Sequence, residues 1–133
     1  VDTDEAAIGR MLAGRRIAVV GISEDPSQPS HYVSFYMQRA GYTIFPVNPK
    51  YQTVVGETCY ATLGDVPGPI DVVNVFRRPL ACAQVVRDAI AIGAKGVWLQ
   101  SGIANDEAKQ LAAAAGIDFV QDRCIMVERA RRR

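Results

Sequence analysis

Residues 17–23 read Ile17-Ala18-Val19-Val20-Gly21-Ile22-Ser23. Four apolar residues in a row, with no alternation and a glycine to stop them, predict a strand buried on both faces, as in a parallel sheet sandwiched between helices. Upstream, Ile8, Met11 and Leu12 share one face of a helix from about Asp4 to Ala13, with Asp4 and Glu5 in its first turn and Gly14 closing it. Downstream, a turn-rich run from Ser23 to Pro29 leads to Ser30, placed to cap a helix. Val33, Tyr36, Met37 and Ala40 lie on that helix at i, i+3, i+4 and i+7, and Gly41 ends it. A second strand follows as Thr43-Ile44-Phe45-Pro46-Val47.

The same punctuation of helix, glycine and strand recurs twice. Val85, Val86, Ala89 and Ile90 precede Gly93 and the strand Val97-Trp98-Leu99, while Ala108, Leu111, Ala112 and Ala115 precede Gly116 and Phe119-Val120. Between the second strand and Val72-Val73-Asn74-Val75 lies an irregular crossing from Tyr51 to Pro69, with a short strand expected near Thr58 and a helical turn near Leu63. Strands and helices of these lengths, joined by right-handed crossovers, make an α/β protein. The expected fold is a Rossmann-like, doubly wound, mostly parallel sheet of about five strands with helices on both faces. One domain is expected over residues 1–133, with an N-terminal helix at 1–14 and a basic tail at 129–133.

Composition narrows the partners. Fifteen Lys+Arg face fourteen Asp+Glu, but four arginines fall in the last five residues, so residues 1–128 hold eleven cations against fourteen acids. A nucleic-acid-coating surface is not expected from that balance. Cys59, Cys82 and Cys124 are odd in number and widely spaced, which suggests neither a disulfide framework nor a zinc site and fits a reducing cytoplasm. No apolar run approaches the roughly 20 residues of a membrane span, so a soluble protein without a membrane partner is expected.

In a doubly wound sheet, ligands bind outside the carboxyl ends of the strands, so the residues just after each strand carry the function. Here these are Gly21-Ile22-Ser23, Asn48-Pro49-Lys50, Phe76-Arg77-Arg78-Pro79, Gln100-Ser101-Gly102 and Asp122-Arg123. Lys50, Arg77, Arg78 and Arg123 would place cations on one rim and imply an anionic ligand. The N–H groups of Gly21-Ile22-Ser23 and of the helix after Ser30 would add uncharged donors for phosphate. Arg77 or Arg78 suits a forked contact and Lys50 a point charge. A dinucleotide fingerprint requires three glycines, and Gly21-Ile22-Ser23-Glu24-Asp25-Pro26 holds one. Asn48-Pro49-Lys50 stands where an acid would hold the ribose of NAD, leaving NADP or coenzyme A (CoA).

Catalytic equipment is thin. His31 beside Tyr32 has no Ser or Cys at an interpretable spacing and suits a ligand-contact or cap role. Cys124 reads as a small hydrophobe, Trp98 as core, Asp122 as the partner of an arginine, and the acids show no metal-ligand spacing. No catalytic group and no metal site is expected, and the protein is not read as an enzyme.

Several of these segments resemble the small stand-alone CoA-binding proteins. They are Ile17 to Ser23, Pro29-Ser30-His31-Tyr32, Gly41-Tyr42, Pro46-Val47-Asn48-Pro49-Lys50, Gly56-Glu57, Val75-Phe76-Arg77-Arg78, Gly93-Ala94-Lys95, Trp98-Leu99-Gln100 and Asp122-Arg123-Cys124-Ile125. That family is similar to the amino-terminal CoA-binding domain of the succinyl-CoA synthetase alpha subunit and of NDP-forming acyl-CoA synthetases. The resemblance implies that Gly21, Ile22 and Ser23 meet the phosphate region. It places Asn48, Pro49 and Lys50 along the adenosine and its phosphate, Phe76, Arg77, Arg78 and Pro79 beside the nucleotide, and the Gln100-Ser101-Gly102-Ile103 turn against pantetheine. With Ser30, His31, Tyr32 and Val47, these residues form the candidate cofactor-binding set. The expected function is a non-catalytic carrier, sensor or regulatory module for CoA or an acyl-CoA. An NADP-binding protein and the interaction subunit of a split acyl-CoA synthetase are the alternatives, and a homodimer or a larger synthetase partner stays open. The synthetases also use a phosphorylated histidine from a further domain, which 133 residues leave no room to hold.

Overall fold

The structure, a computed structural model, describes residues 4–132. The outermost residues of the expected N-terminal helix and basic tail, 1–3 and 133, lie outside that range. Helix α1 (Asp4–Leu12) leads into strand β1 (Arg16–Val20), then α2 (Pro29–Arg39) and β2 (Thr43–Val47). The crossing holds a hairpin of β3 (Thr53–Val54) and β4 (Glu57–Thr58) and one 3-10 turn at Leu63–Asp65. The chain continues through β5 (Val72–Val75), α3 (Pro79–Ala91), β6 (Gly96–Leu99), α4 (Asp106–Ala115), β7 (Asp118–Val120) and α5 (Ile125–Arg131).

The main sheet runs β2-β1-β5-β6-β7, with every neighbouring pair parallel. Its two faces carry separate cores. Ile17, Val19, Ile44, Val72 and Trp98 pack under α1, α2 and α5, and Ala18, Val20, Val73, Val75, Val97 and Leu99 pack under α3 and α4. This alternation explains the unbroken apolar runs, since successive side chains point to opposite faces and both faces are covered. Pro46 is tolerated because β2 is an edge strand and its outer side needs no donor at that position. The Pro46 carbonyl instead accepts from the Tyr60 N–H, on the side away from β1.

Register sets the functional rim. Val20 lies opposite both Val47 and Val75, and Val75 lies opposite Leu99, so Gly21, Asn48, Phe76 and Gln100 are the first residues beyond the sheet on four adjacent strands. From β1 the chain turns to α2 on one face, and from β5 it turns to α3 on the other. A crevice opens where those paths diverge, between the ends of β1 and β5.

Two expectations near the carboxyl end differ from the structure. The arginine-rich end is a helix, because Ile125 and Glu128 fall three residues apart on one face and both are buried. Glu128 binds Arg131 on its own helix and Arg132 just past the helix end, and lies 3.6 Å from Arg123. Arg132 also pairs with Glu5, and Arg123 approaches Asp4 and Glu5, so the ends of the described chain are tied together. Asp122 pairs with no arginine among the described residues. Its carboxylate accepts from the Gly102 N–H at 2.7 Å.

Burial alone would raise the Glu128 carboxyl, but the Arg132 hydrogen bond and the charges of Arg131, Arg132 and Arg123 outweigh it and hold the pKa below its ordinary value. Asp71 behaves alike: burial opposes ionisation, while the N–H groups of Arg15 and Arg16 and the Lys95 ammonium favour it more. A depressed folded pKa gives stability that is complete above the unfolded value, about 4, and disappears as pH falls through the folded value. The thermal midpoint is therefore expected to drop as pH is lowered from about 5 toward 3. Glu128→Gln and Asp71→Asn should each lower the neutral-pH midpoint and flatten that acid limb, which differential scanning calorimetry across pH would show.

Candidate ligand-binding site

Two adjoining clefts open on the carboxyl rim. The larger, about 620 Å³, lies between the ends of β1 and β2, residues 61–63 of the crossing, and α3. Val20, Val47, Leu63, Phe76 and Val85 give it apolar walls, and Lys50 and Arg77 line it together. The smaller, about 390 Å³, lies against the β1–α2 loop and is lined by Gly21, Ile22, Ser23, Gln28, Pro29, Ser30 and Tyr51. Gly21, Asn48, Lys50 and Phe76 border both, so one elongated ligand can occupy the two continuously.

Gly21 is required by the geometry. Its φ is +86°, and a Cβ there would sit 2.6 Å from the Phe76 carbonyl oxygen and 3.0 Å from Arg77 Cδ. Only a residue without a side chain lets β1 turn so close to the end of β5. The loop that follows is built from its own polar groups. The Ser23 N–H donates to Ser30 Oγ at 2.9 Å, the Asp25 N–H donates to Ser23 Oγ, and the Ser27 N–H and hydroxyl donate to Asp25. Ser30 is thus not the helix cap expected of it. Pro29 takes the first helical position, Gln28 precedes it without a side-chain cap, and Ser30 instead ties the loop to the first turn of α2. The Ile22 and Ser30 N–H groups donate to no protein acceptor among the described residues, which leaves them available to an anion at the helix end.

Asn48 joins the clefts. Its Nδ2 donates to the Ile22 carbonyl at 2.9 Å, and its Oδ1 accepts from the Lys50 N–H at 2.9 Å, so one amide fixes both the phosphate-side loop and the turn carrying Lys50. The Cys59 thiol donates to the Asn48 carbonyl at 3.4 Å. Burial pushes the Cys59 thiol up, with that hydrogen bond opposing, and burial also raises Cys82, with the charge of Arg77 opposing. Neither thiol is poised as a thiolate near neutral pH.

Of the expected residues, Gly21, Ile22, Ser23, Ser30, Val47, Asn48, Pro49, Lys50, Phe76 and Arg77 line the clefts. The adjacent arginines separate: Arg77 faces the larger cleft, whereas Arg78 precedes the first turn of α3 and, with Pro79, lines neither. His31 and Tyr32 lie in the first turn of α2 outside both linings. Gln100 is buried, and its Oε1 accepts from the Ile125 N–H at 3.0 Å, so it holds the start of α5; Ser101 is exposed in the following turn. Arg123 stands at the far edge of the rim among Asp4, Glu5 and Glu128 rather than in a cleft. The sequence reading missed Tyr51, Thr62, Leu63, Gln84, Val85 and Asp88 as lining residues. The crossing reaches the site through the Tyr60 bridge to Val47 and through its packing against α3, and no spacing within it announces either contact.

Comparisons with known proteins identify the family of the fold. A family model described as a CoA binding domain matches residues 15–130. The Bacillus subtilis protein YneT is 42% identical over 116 residues, covering 87% of this chain and 86% of its own. A Thermus thermophilus protein of solved structure superposes with a TM-score of 0.90 at 39% identity, covering 98% of each chain. The ADP-forming acetate–CoA ligase of Methanocaldococcus jannaschii is 22% identical over 119 residues; these cover 84% of this chain but 17% of that enzyme.

Proposed function

Since this chain belongs to the CoA-binding domain family, we propose that it binds CoA or an acyl-CoA across the two clefts, as a carrier, sensor or regulatory module rather than a catalyst. The observation that carries the reading is the convergence of Lys50 and Arg77 on one cleft beside apolar walls. A phosphorylated nucleoside needs that combination, with cations for its phosphates and apolar surface for its base. The smaller cleft, with the Gly21–Ser23 turn and the open N–H groups of Ile22 and Ser30, suits a pyrophosphate.

A ligand at one hundred times its Kd stabilises a fold by about 2.7 kcal/mol. CoA is therefore expected to raise the thermal midpoint by several degrees, roughly 5–10 °C for a domain of this size. Acetyl-CoA should act comparably, and NAD should leave the midpoint in place. A rise with NADP and none with CoA would instead favour the NADP reading, which the single glycine and the Asn48-Pro49-Lys50 turn allow. Co-purification of a larger synthetase chain would point to a subunit of a split enzyme, and native mass spectrometry distinguishes that from a monomer or homodimer.

A further inference from the structure

Asp88 is an exposed carboxylate on the flank of α3 that forms an i,i+4 pair with Gln84 on the side facing the larger cleft. It lies in the last turn of α3, where the negative end of the helix dipole disfavours an acid, and that turn holds no basic residue. Among the described residues it pairs with no cation, and the neighbouring Arg87 turns to Glu107 instead. Yet Asp88 lines the larger cleft, and Gln84, one turn earlier on the same helix, donates from Nε2 to its Oδ1 at 2.9 Å. That bond orients the carboxylate and leaves Oδ2 able to accept.

The cleft therefore changes character along its length. Lys50 and Arg77 supply positive charge, Val47, Leu63 and Val85 supply apolar walls, and Gln84 with Asp88 supplies a negative, acceptor-rich end. Asp88 follows Ala81 by seven helical residues, a rise of about 10 Å, so the acceptors sit well down α3 from the loop that carries Arg77. A ligand matching that sequence of charges has an anion at one end, a flat apolar body and a hydrogen-bond donor at the other.

We propose that Asp88, oriented by Gln84, reads the exocyclic amine of the adenine ring and sets the preference of the site for adenine over 6-oxopurines. This inference rests on the CoA reading above. An amine donates to the carboxylate, whereas the carbonyl of hypoxanthine at the same ring position presents a second acceptor and is repelled. In Asp88→Ala the relief of an acid at the negative helix end offsets the lost i,i+4 pair with Gln84, so the unliganded fold keeps its stability and loss of binding is separable from loss of structure.

The test is a calorimetric titration of wild type, Asp88→Ala and Gln84→Ala with CoA and with its hypoxanthine analogue, in which the adenine amine is replaced by oxygen. Wild type is expected to prefer CoA by about tenfold, in line with one charge-assisted hydrogen bond at an exposed rim. Asp88→Ala should bring the two ligands within about twofold while its unliganded melting temperature stays level, and Gln84→Ala should narrow the gap part of the way. CoA binding with an unchanged preference in Asp88→Ala would overturn the assignment of Asp88 and leave the CoA reading standing. Failure of wild type to bind either ligand would overturn both.

Discussion

Replacing Lys50 and Arg77 together by alanine is expected to weaken CoA binding by about 100-fold and to leave the unliganded protein folded. Both side chains are exposed and line the larger cleft, and neither takes part in an ion pair with a described residue. A charge-assisted hydrogen bond to phosphate contributes about 1.5–3 kcal/mol. Solvent at the rim argues for the lower figure, so two such contacts give about 3 kcal/mol, or roughly two factors of ten. Affinity should also fall with added salt in the wild type and less steeply in the variant, because screened phosphate contacts carry that dependence. Arg78→Ala is the control. Its side chain lies outside both clefts, and its effect should stay within about threefold, the weak influence of an exposed charge. Isothermal titration at two salt concentrations would compare the wild type with both variants. A larger loss from Arg78→Ala than from the double variant would contradict the placement of the cations.

Gly21→Ala should damage the fold and the site at once. A left-handed backbone costs a residue with a Cβ about 1–2 kcal/mol, and the Phe76 carbonyl 2.6 Å from the new methyl forces a shift of β1 against β5. Overpacking of that kind adds about 1–3 kcal/mol. The melting temperature is expected to fall by about 10 °C, with CoA binding lost because the Gly21–Ser23 turn moves. Gly93→Ala separates the two contributions: its φ is +74°, but nothing lies within 4 Å of a built Cβ. That variant should show the conformational cost alone, a drop of a few degrees, with CoA binding intact. Thermal melts with and without CoA would show equal effects at both glycines if the close approach at Gly21 were unimportant.

Much of this architecture was legible because the sheet writes itself into single segments. Ile17–Val20 and Val72–Val75 are unbroken apolar runs because both faces of the sheet are covered, and Gly93 and Gly116 mark helix ends by adopting a left-handed backbone. The cationic half of the site was legible for the same reason, since Asn48, Lys50 and Arg77 follow directly on strand ends. The opposite wall was not. Thr62 and Leu63 reach the cleft by packing an irregular crossing against α3, and Gln84 and Asp88 reach it along the flank of a helix whose apolar pattern reports only its buried side. Helix α5 was hidden by composition: a run of arginines reads as a solvated tail until Glu128 is seen buried beneath them. Gln100 looked like a rim residue by position, but the nearby start of α5 needed an acceptor for the Ile125 N–H and took its side chain.

The central claim, that CoA occupies the crevice between the ends of β1, β2 and β5, is tested most directly by following backbone amide resonances during titration with CoA. Large shifts are predicted at Gly21, Ile22, Ser30, Lys50, Phe76 and Arg77, with smaller ones along α3 as far as Asp88. Shifts confined to α5 and β7, or to the opposite rim around Asp71 and Lys95, with those residues unmoved, would contradict it.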